Sequence, residues 1–253
     1  HKLGHVSLAL RRYDWAENCF GIAYSSSPGN MNILEALEHI AIEKGDEDLR
    51  RHWLEARMTV QPDSPELLRA HAHLLAKMGD LEAERDVRRL EALGLDTPAD
   101  RSLLSGLRAR AGSHSEALEA IEKALDEDPT QSKDWLSYAN LLHQEGEDGK
   151  AYEAANKCLE LDRQCGDAWA LTAKLLAPKS NRLKEALKAA VHAVALESGG
   201  VDLILLKADL LLTEGSVTAS EESLVKALEK YSMNGELRAK IATRYLLDGR
   251  IDD

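Results

Sequence analysis

Glycine falls along this 253-residue chain at Gly45, Gly79, Gly112, Gly146, Gly215 and Gly249, at intervals of 34, 33, 34, 69 and 34 residues. A spacing this regular constrains the fold more than any bulk property, because a period near 34 fits one helical hairpin. Such a hairpin buries its apolar stripe only against neighbours like itself. The clearest copy runs from Gly112 to Pro129: a turn glycine, a helix in which Ala117, Ile121 and Ala124 recur at helical spacing, and a proline stop.

Positions within a repeat are numbered here as slots, with Pro98 in slot one, Gly112 in slot fifteen and Pro129 in slot thirty-two. On this count the chain divides into units 1–30, 31–64, 65–97, 98–131, 132–165, 166–200, 201–234 and a partial unit 235–253. The pattern is interrupted at mid-unit at both ends, so the expectation is a single array, 1–253, taken from a longer protein. Helix starts are marked by Asn30, by Ser64 before Pro65, and by Thr97 before Pro98, with Asp100 completing a variant capping box. In the second helix of 31–64 the strict count puts Arg50 and Arg57 in slots that hold small residues elsewhere. A one-residue shift would place Leu49, Trp53 and Ala56 there instead. Unit 65–97 is one residue short, and the same shift aligns Ala83, Val87 and Leu90. In 166–200, Pro178 ends the first helix early, and a longer turn precedes Ala186, Ala190 and Ala193.

The first helices read best as Trp135-x2-Tyr138-Ala139-x2-Leu142 and Trp169-x2-Thr172-Ala173-x2-Leu176. The second helices read best as Ala16-x3-Phe20-x2-Ala23 through Pro28 and Ala117-x3-Ile121-x2-Ala124 through Pro129. Repeated over essentially the whole chain, these residues resemble the tetratricopeptide repeat. The resemblance implies an all-α, right-handed α-solenoid of about seven stacked helical hairpins plus a terminal helix. The packing logic stands apart from the name. Alanine, glycine or serine in slots eight, twenty and twenty-seven lets two helices approach closely, and larger residues in slots four, seven, eleven and twenty-four fill the space between hairpins. Trp135 and Trp169 are read as core on this ground.

A formal net charge of -12 argues against non-specific binding to nucleic acid or to an anionic membrane, both of which need a basic surface. No apolar run reaches the roughly 18 residues of a membrane span, so no membrane insertion is expected. The three cysteines, Cys19, Cys158 and Cys165, form no disulfide framework, which points to reduced thiols and a cytoplasmic protein. The rival compartment is the periplasm, for a scaffold of polysaccharide export.

No serine elbow, His-Glu-x-x-His, phosphate loop or dinucleotide fingerprint occurs, so neither catalysis, nor a cofactor, nor a metal is expected. The family resemblance implies instead that a protein or peptide partner lies along an inner, concave surface lined by slots two, five, nine, twelve and thirteen of the first helices. Slot nine carries His5, His39 and His73 in three successive units, then Asn140, Lys174 and Asp209 further on. With Arg69 and Asp202 these form the candidate partner-binding groove, basic in its first half and acidic in its second, which suits a segment with its own charge gradient. His1 flanks the histidine run, and the basic turn Lys179, Arg182, Lys184 and Lys188 is a further candidate contact. The lysine-and-asparagine carboxylate clamp of co-chaperone members is absent. The alternative function is a substrate-recruiting module of a longer enzyme, such as a transferase. The sequence leaves the oligomeric state open.

Overall fold

The computed structural model describes residues 2–247, so His1 and the Gly249-Arg250-Ile251 stretch lie outside the described residues. The fold is an all-α helical repeat, with no strand among the described residues. The chain divides into two compact units, His1–Ala124 and Leu125–Asp253. The first holds α1 (Lys2–Ala9), α2 (Tyr13–Ser26), α3 (Met31–Lys44), α4 (Glu47–Val60), α5 (Pro65–Met78), α6 (Ala83–Ala92), α7 (Pro98–Arg110) and most of α8 (His114–Glu127). The second continues with α9 (Ser132–Gln144), α10 (Asp148–Leu161), α11 (Gly166–Leu176), α12 (Leu183–Ala195), α13 (Gly200–Glu214), α14 (Val217–Lys230) and α15 (Gly235–Leu247). A 3-10 turn, Ser180–Arg182, fills the lengthened connection before α12.

The punctuation in the sequence sets these boundaries. Side chains of Asn30, Asp46 and Ser64 accept the first free backbone N–H groups of α3, α4 and α5. Thr97 and Asp100 complete a reciprocal capping box on α7: the Thr97 hydroxyl accepts from the Asp100 amide, and the Asp100 carboxylate accepts from the Thr97 amide at 2.9 Å. Gly45, Gly79, Gly112, Gly146 and Gly215 all take positive φ, between +69° and +93°. A Cβ there would strain the backbone, which is why the turn recurs as glycine.

Between paired helices the small slots close the packing. In α9–α10 they hold Ala139, Ala151 and Cys158, and in α11–α12 Ala173, Ala186 and Ala193, all fully buried. Burial pushes the Cys158 thiol up to about 12, with a hydrogen bond to Cys165 adding to the shift. Two serines in small slots use their hydroxyls across the hairpin: Ser105 donates to the Ala117 carbonyl at 2.8 Å and Ser220 to the Ala208 carbonyl at 2.9 Å. In α6, Ala83, Val87 and Leu90 are buried, in the register that the shifted count gives.

For α4 the strict count holds and the shift does not. Leu54 is fully buried in slot twenty-four, and Arg50 and Arg57 do occupy small slots. Their presence there is explained by Glu38, the slot-eight residue of α3, which is 6% exposed. Its two oxygens are shared out, one 3.8 Å from Arg50 Nε and the other hydrogen-bonded by the Arg57 guanidinium, which also reaches Glu35 at 3.0 Å. Trp53, flanked by Leu49 and Ala56, packs instead with α2 and α3, against residues that include Phe20 and Leu37. Trp135 and Trp169 are half-buried and pack against the core cluster of Cys158, Leu159 and Ala168. Each indole donates its N–H to a carbonyl six residues back, Pro129 at 2.8 Å and Arg163 at 2.9 Å, tying the helix to the preceding turn.

Candidate functional site

Three of the four sequence-derived candidates in the first unit are exposed: His5 on α1, His39 on α3 and His73 on α5. His5 meets the Phe20 ring edge-on at 5.1 Å between centroids. His39 and His73 have no hydrogen-bond or ion-pair partner among the described residues, so their imidazoles are available. Arg69 is committed elsewhere. Its Nε donates to both oxygens of Asp100, at 3.2 and 2.9 Å, and a terminal nitrogen donates to the Leu95 carbonyl. Because Asp100 is only 2% exposed and caps α7, Arg69 fastens α5 to α7.

In the second unit Asn140 donates to the Leu136 carbonyl of its own helix at 3.0 Å. Lys174 and Asp202 are exposed and have no hydrogen-bond or ion-pair partner among the described residues, and Asp209 forms an ion pair with Lys240 of α15. The Asp209–Lys240 pair borders a cavity of about 390 Å³ between α13, α14 and α15, lined by Leu212, Leu224, Glu236, Ala239 and Thr243 as well. Glu236, Ala239, Thr243, Asp209 and Leu212 occupy slots two, five, nine, nine and twelve, the slots singled out in the sequence. Lys240, in slot six, was not among the sequence candidates; only the pairing of α13 with α15 brings it beside Asp209. The apolar walls with one charged pair at the rim suit an apolar side chain of an inserted segment, with a polar neighbour on either side.

The basic turn is likewise partly spent. The Arg182 guanidinium lies 4.4 Å from the centre of the Tyr152 ring, donates to the Tyr152 hydroxyl at 2.7 Å and pairs with Glu185. Among the described residues no cluster of three or more His, Cys, Asp or Glu could hold a metal ion, and no helix is long and apolar enough to cross a membrane.

Residues 108–175 match the model of the tetratricopeptide repeat. The PilF protein of Pseudomonas aeruginosa superposes with a TM-score of 0.69 at 16% identity, covering 84% of this chain and 96% of that one. The C-terminal part of a tetratricopeptide-repeat protein of Cytophaga hutchinsonii gives 0.68 at 14% identity, covering 94% and 98%. YrrB, described as a tetratricopeptide protein with an unusual peptide-binding site, gives 0.57 at 13% identity, covering 70% and 91%. No curated protein matches this chain in sequence. Residues 108–175 thus carry tetratricopeptide repeats, and the chain shares the helical-repeat fold of these proteins.

Proposed function

We propose that the chain is a protein-interaction scaffold that holds a segment of a partner along the exposed face of its first helices and carries out no chemistry of its own. The observation that supports this most directly is the cavity beside Asp209 and Lys240, five of whose eight lining residues stand in the slots that face ligands in the tetratricopeptide family. The free imidazoles of His39 and His73 extend the same slot pattern to the first unit. The second unit takes an apolar anchor in the cavity, and the first contacts acidic groups of the partner.

Selection of peptides on the full chain, followed by rebinding to two variants, tests the reading. Leu212→Asp puts a charge into the apolar wall, and His39→Gln with His73→Gln removes the imidazoles. Both lie on exposed or half-exposed positions, so melting should change little. The first variant should lose the selected peptides, and the second should bind the acidic ones less tightly. Peptides that bind both variants as they bind the unaltered chain would place the contact elsewhere.

A further inference from the structure

Slot seven of the first helix faces slot twenty-three of the second, and read down the chain the two slots answer each other. Leu37 shares a core cluster with Trp53, and Leu104 with Ala120; the same two slots hold Tyr138 with Ala154 and Thr172 with Ala189. At His71 the answering residue is Asp86, whose carboxylate stands 2.7 Å from the imidazole, both side chains being buried. At Lys207 the answering residue is Ser223, and the charge is not met. Lys207 has no hydrogen-bond or ion-pair partner among the described residues, in a chain whose formal net charge is -12.

Lys207 is half-buried in a position that elsewhere holds a packed side chain, and it lines a cavity of about 440 Å³ between α12, α13 and α14. Lys226 also lines this cavity, unpaired as well, while Lys230 is neutralised by Glu197 at 2.8 Å. Glu229 is the other acid on the rim. The remaining walls are Val194, Ala195, Ser198, Gly200, Ile204, Ser223, Ala227 and Tyr231, the Ser198 hydroxyl being held by Asp167. Burial, with repulsion from Lys226, lowers the Lys207 pKa. An ammonium left half-desolvated beside another cation costs free energy unless an anion joins it. Lys207 stands two residues before Asp209, about 200° around the helix, so this cavity opens on the side of α13 away from the proposed partner face.

We propose that the cavity over Lys207 is a binding site for a carboxylate carried on a short apolar stem. The carboxylate lies between Lys207 and Lys226, within reach of the Ser223 hydroxyl, and the stem lies along Val194, Ile204 and Ala227. Two unpaired lysines offset by Glu229 leave about one net positive charge, which matches a single carboxylate and not a dianionic phosphate. The site is independent of the first-helix face.

Calorimetric titration of the full chain with hexanoate, N-acetyl-leucine, N-acetyl-leucinamide, hexylammonium and inorganic phosphate tests the assignment. The two carboxylates should bind and the amide and the amine should not. Tighter binding of hexanoate identifies a free small acid as the source, and tighter binding of N-acetyl-leucine a peptide C-terminus. Lys207→Met should weaken both by about tenfold or more, the loss of one charge-assisted hydrogen bond. It should also melt no lower than the parent, since slot seven accepts apolar residues. Phosphate binding as tightly as the carboxylates, carboxylates held equally by Lys207→Met, or no binding of either acid in the millimolar range overturns the proposal.

Discussion

In the α3–α4 hairpin slots eight, twenty and twenty-seven hold Glu38, Arg50 and Arg57, whereas in the α11–α12 hairpin the same slots hold Ala173, Ala186 and Ala193. The charged solution is particular to that hairpin: in α7–α8 of the same unit the slots hold Ser105, Ala117 and Ala124, all buried, and the unit's other ion pairs, such as Arg51 with Asp80 at 3.0 Å and Arg69 with Asp100, stand outside these slots. The second unit repeats the small solution in α9–α10. One backbone arrangement is thus reached in two ways, by filling the gap with a neutralised cluster or by removing side-chain volume. The two differ in how they fail. A cluster fails when one charge loses its partner, and an alanine contact fails when volume is added.

The largest expected effect comes from breaking the cluster. Glu38→Ala removes the one buried carboxylate between Arg50 and Arg57, leaving them only the more exposed Glu47 and Glu35, and should cost about 3 kcal/mol in urea unfolding. The triple variant Glu38→Ala, Arg50→Ala, Arg57→Ala recreates the second unit's solution and should recover most of that loss. A triple variant as unstable as the single one would show that the two solutions are not equivalent. Next comes Ala186→Leu, which should cost about 1–3 kcal/mol by overpacking a fully buried small slot of the second unit. Its cost should be the same in low and high salt, unlike that of Glu38→Ala.

Smaller still, Ser105→Ala and Ser220→Ala each remove the same hydroxyl-to-carbonyl bond, one in each unit, and should cost about 1 kcal/mol apiece. Amide hydrogen exchange in α8 and α13 reads the two locally, and unequal costs would show that the surrounding hairpin alters even an identical bond. The smallest effect is a pH dependence at slot seven. Lys207 has a native pKa below its ordinary 10.5, so the unfolded chain binds the extra proton. Its contribution opposes folding at neutral pH and that opposition fades as pH rises from the native pKa to 10.5. Comparing the parent with Lys207→Met over pH 8–10.5 should show the parent gaining on the variant.

Where one slot suffices, the sequence was legible. Gly45, Gly79, Gly112, Gly146 and Gly215 all close turns with a left-handed backbone, and alanine in a small slot is fully buried at Ala16, Ala117, Ala139, Ala151, Ala173 and Ala186. Where residues act in combination, single slots misled. Arg50 and Arg57 looked misplaced until Glu38, in slot eight of the same hairpin, was read with them. Arg69 has the composition of a groove residue, but its partner lies one unit away, in the acid that caps α7. Lys207 carried a signal too, in the mismatch with Ser223. That mismatch appears only when slots seven and twenty-three are compared along the whole chain.

The four indoles also give the molecule an optical division of labour. Trp15 is 67% exposed and should emit at long wavelength, while Trp53, 9% exposed between the rings of Tyr24 and His52, should emit toward the blue. Trp169 lies nearly parallel to the His192 ring, with centroids 4.8 Å apart, close enough for a protonated imidazole to quench it. Replacing Trp15 and Trp53 by phenylalanine would leave fluorescence from 125–253 alone. The loosening of Trp135 and Trp169 from their carbonyls could then be followed as a red shift, without any added label.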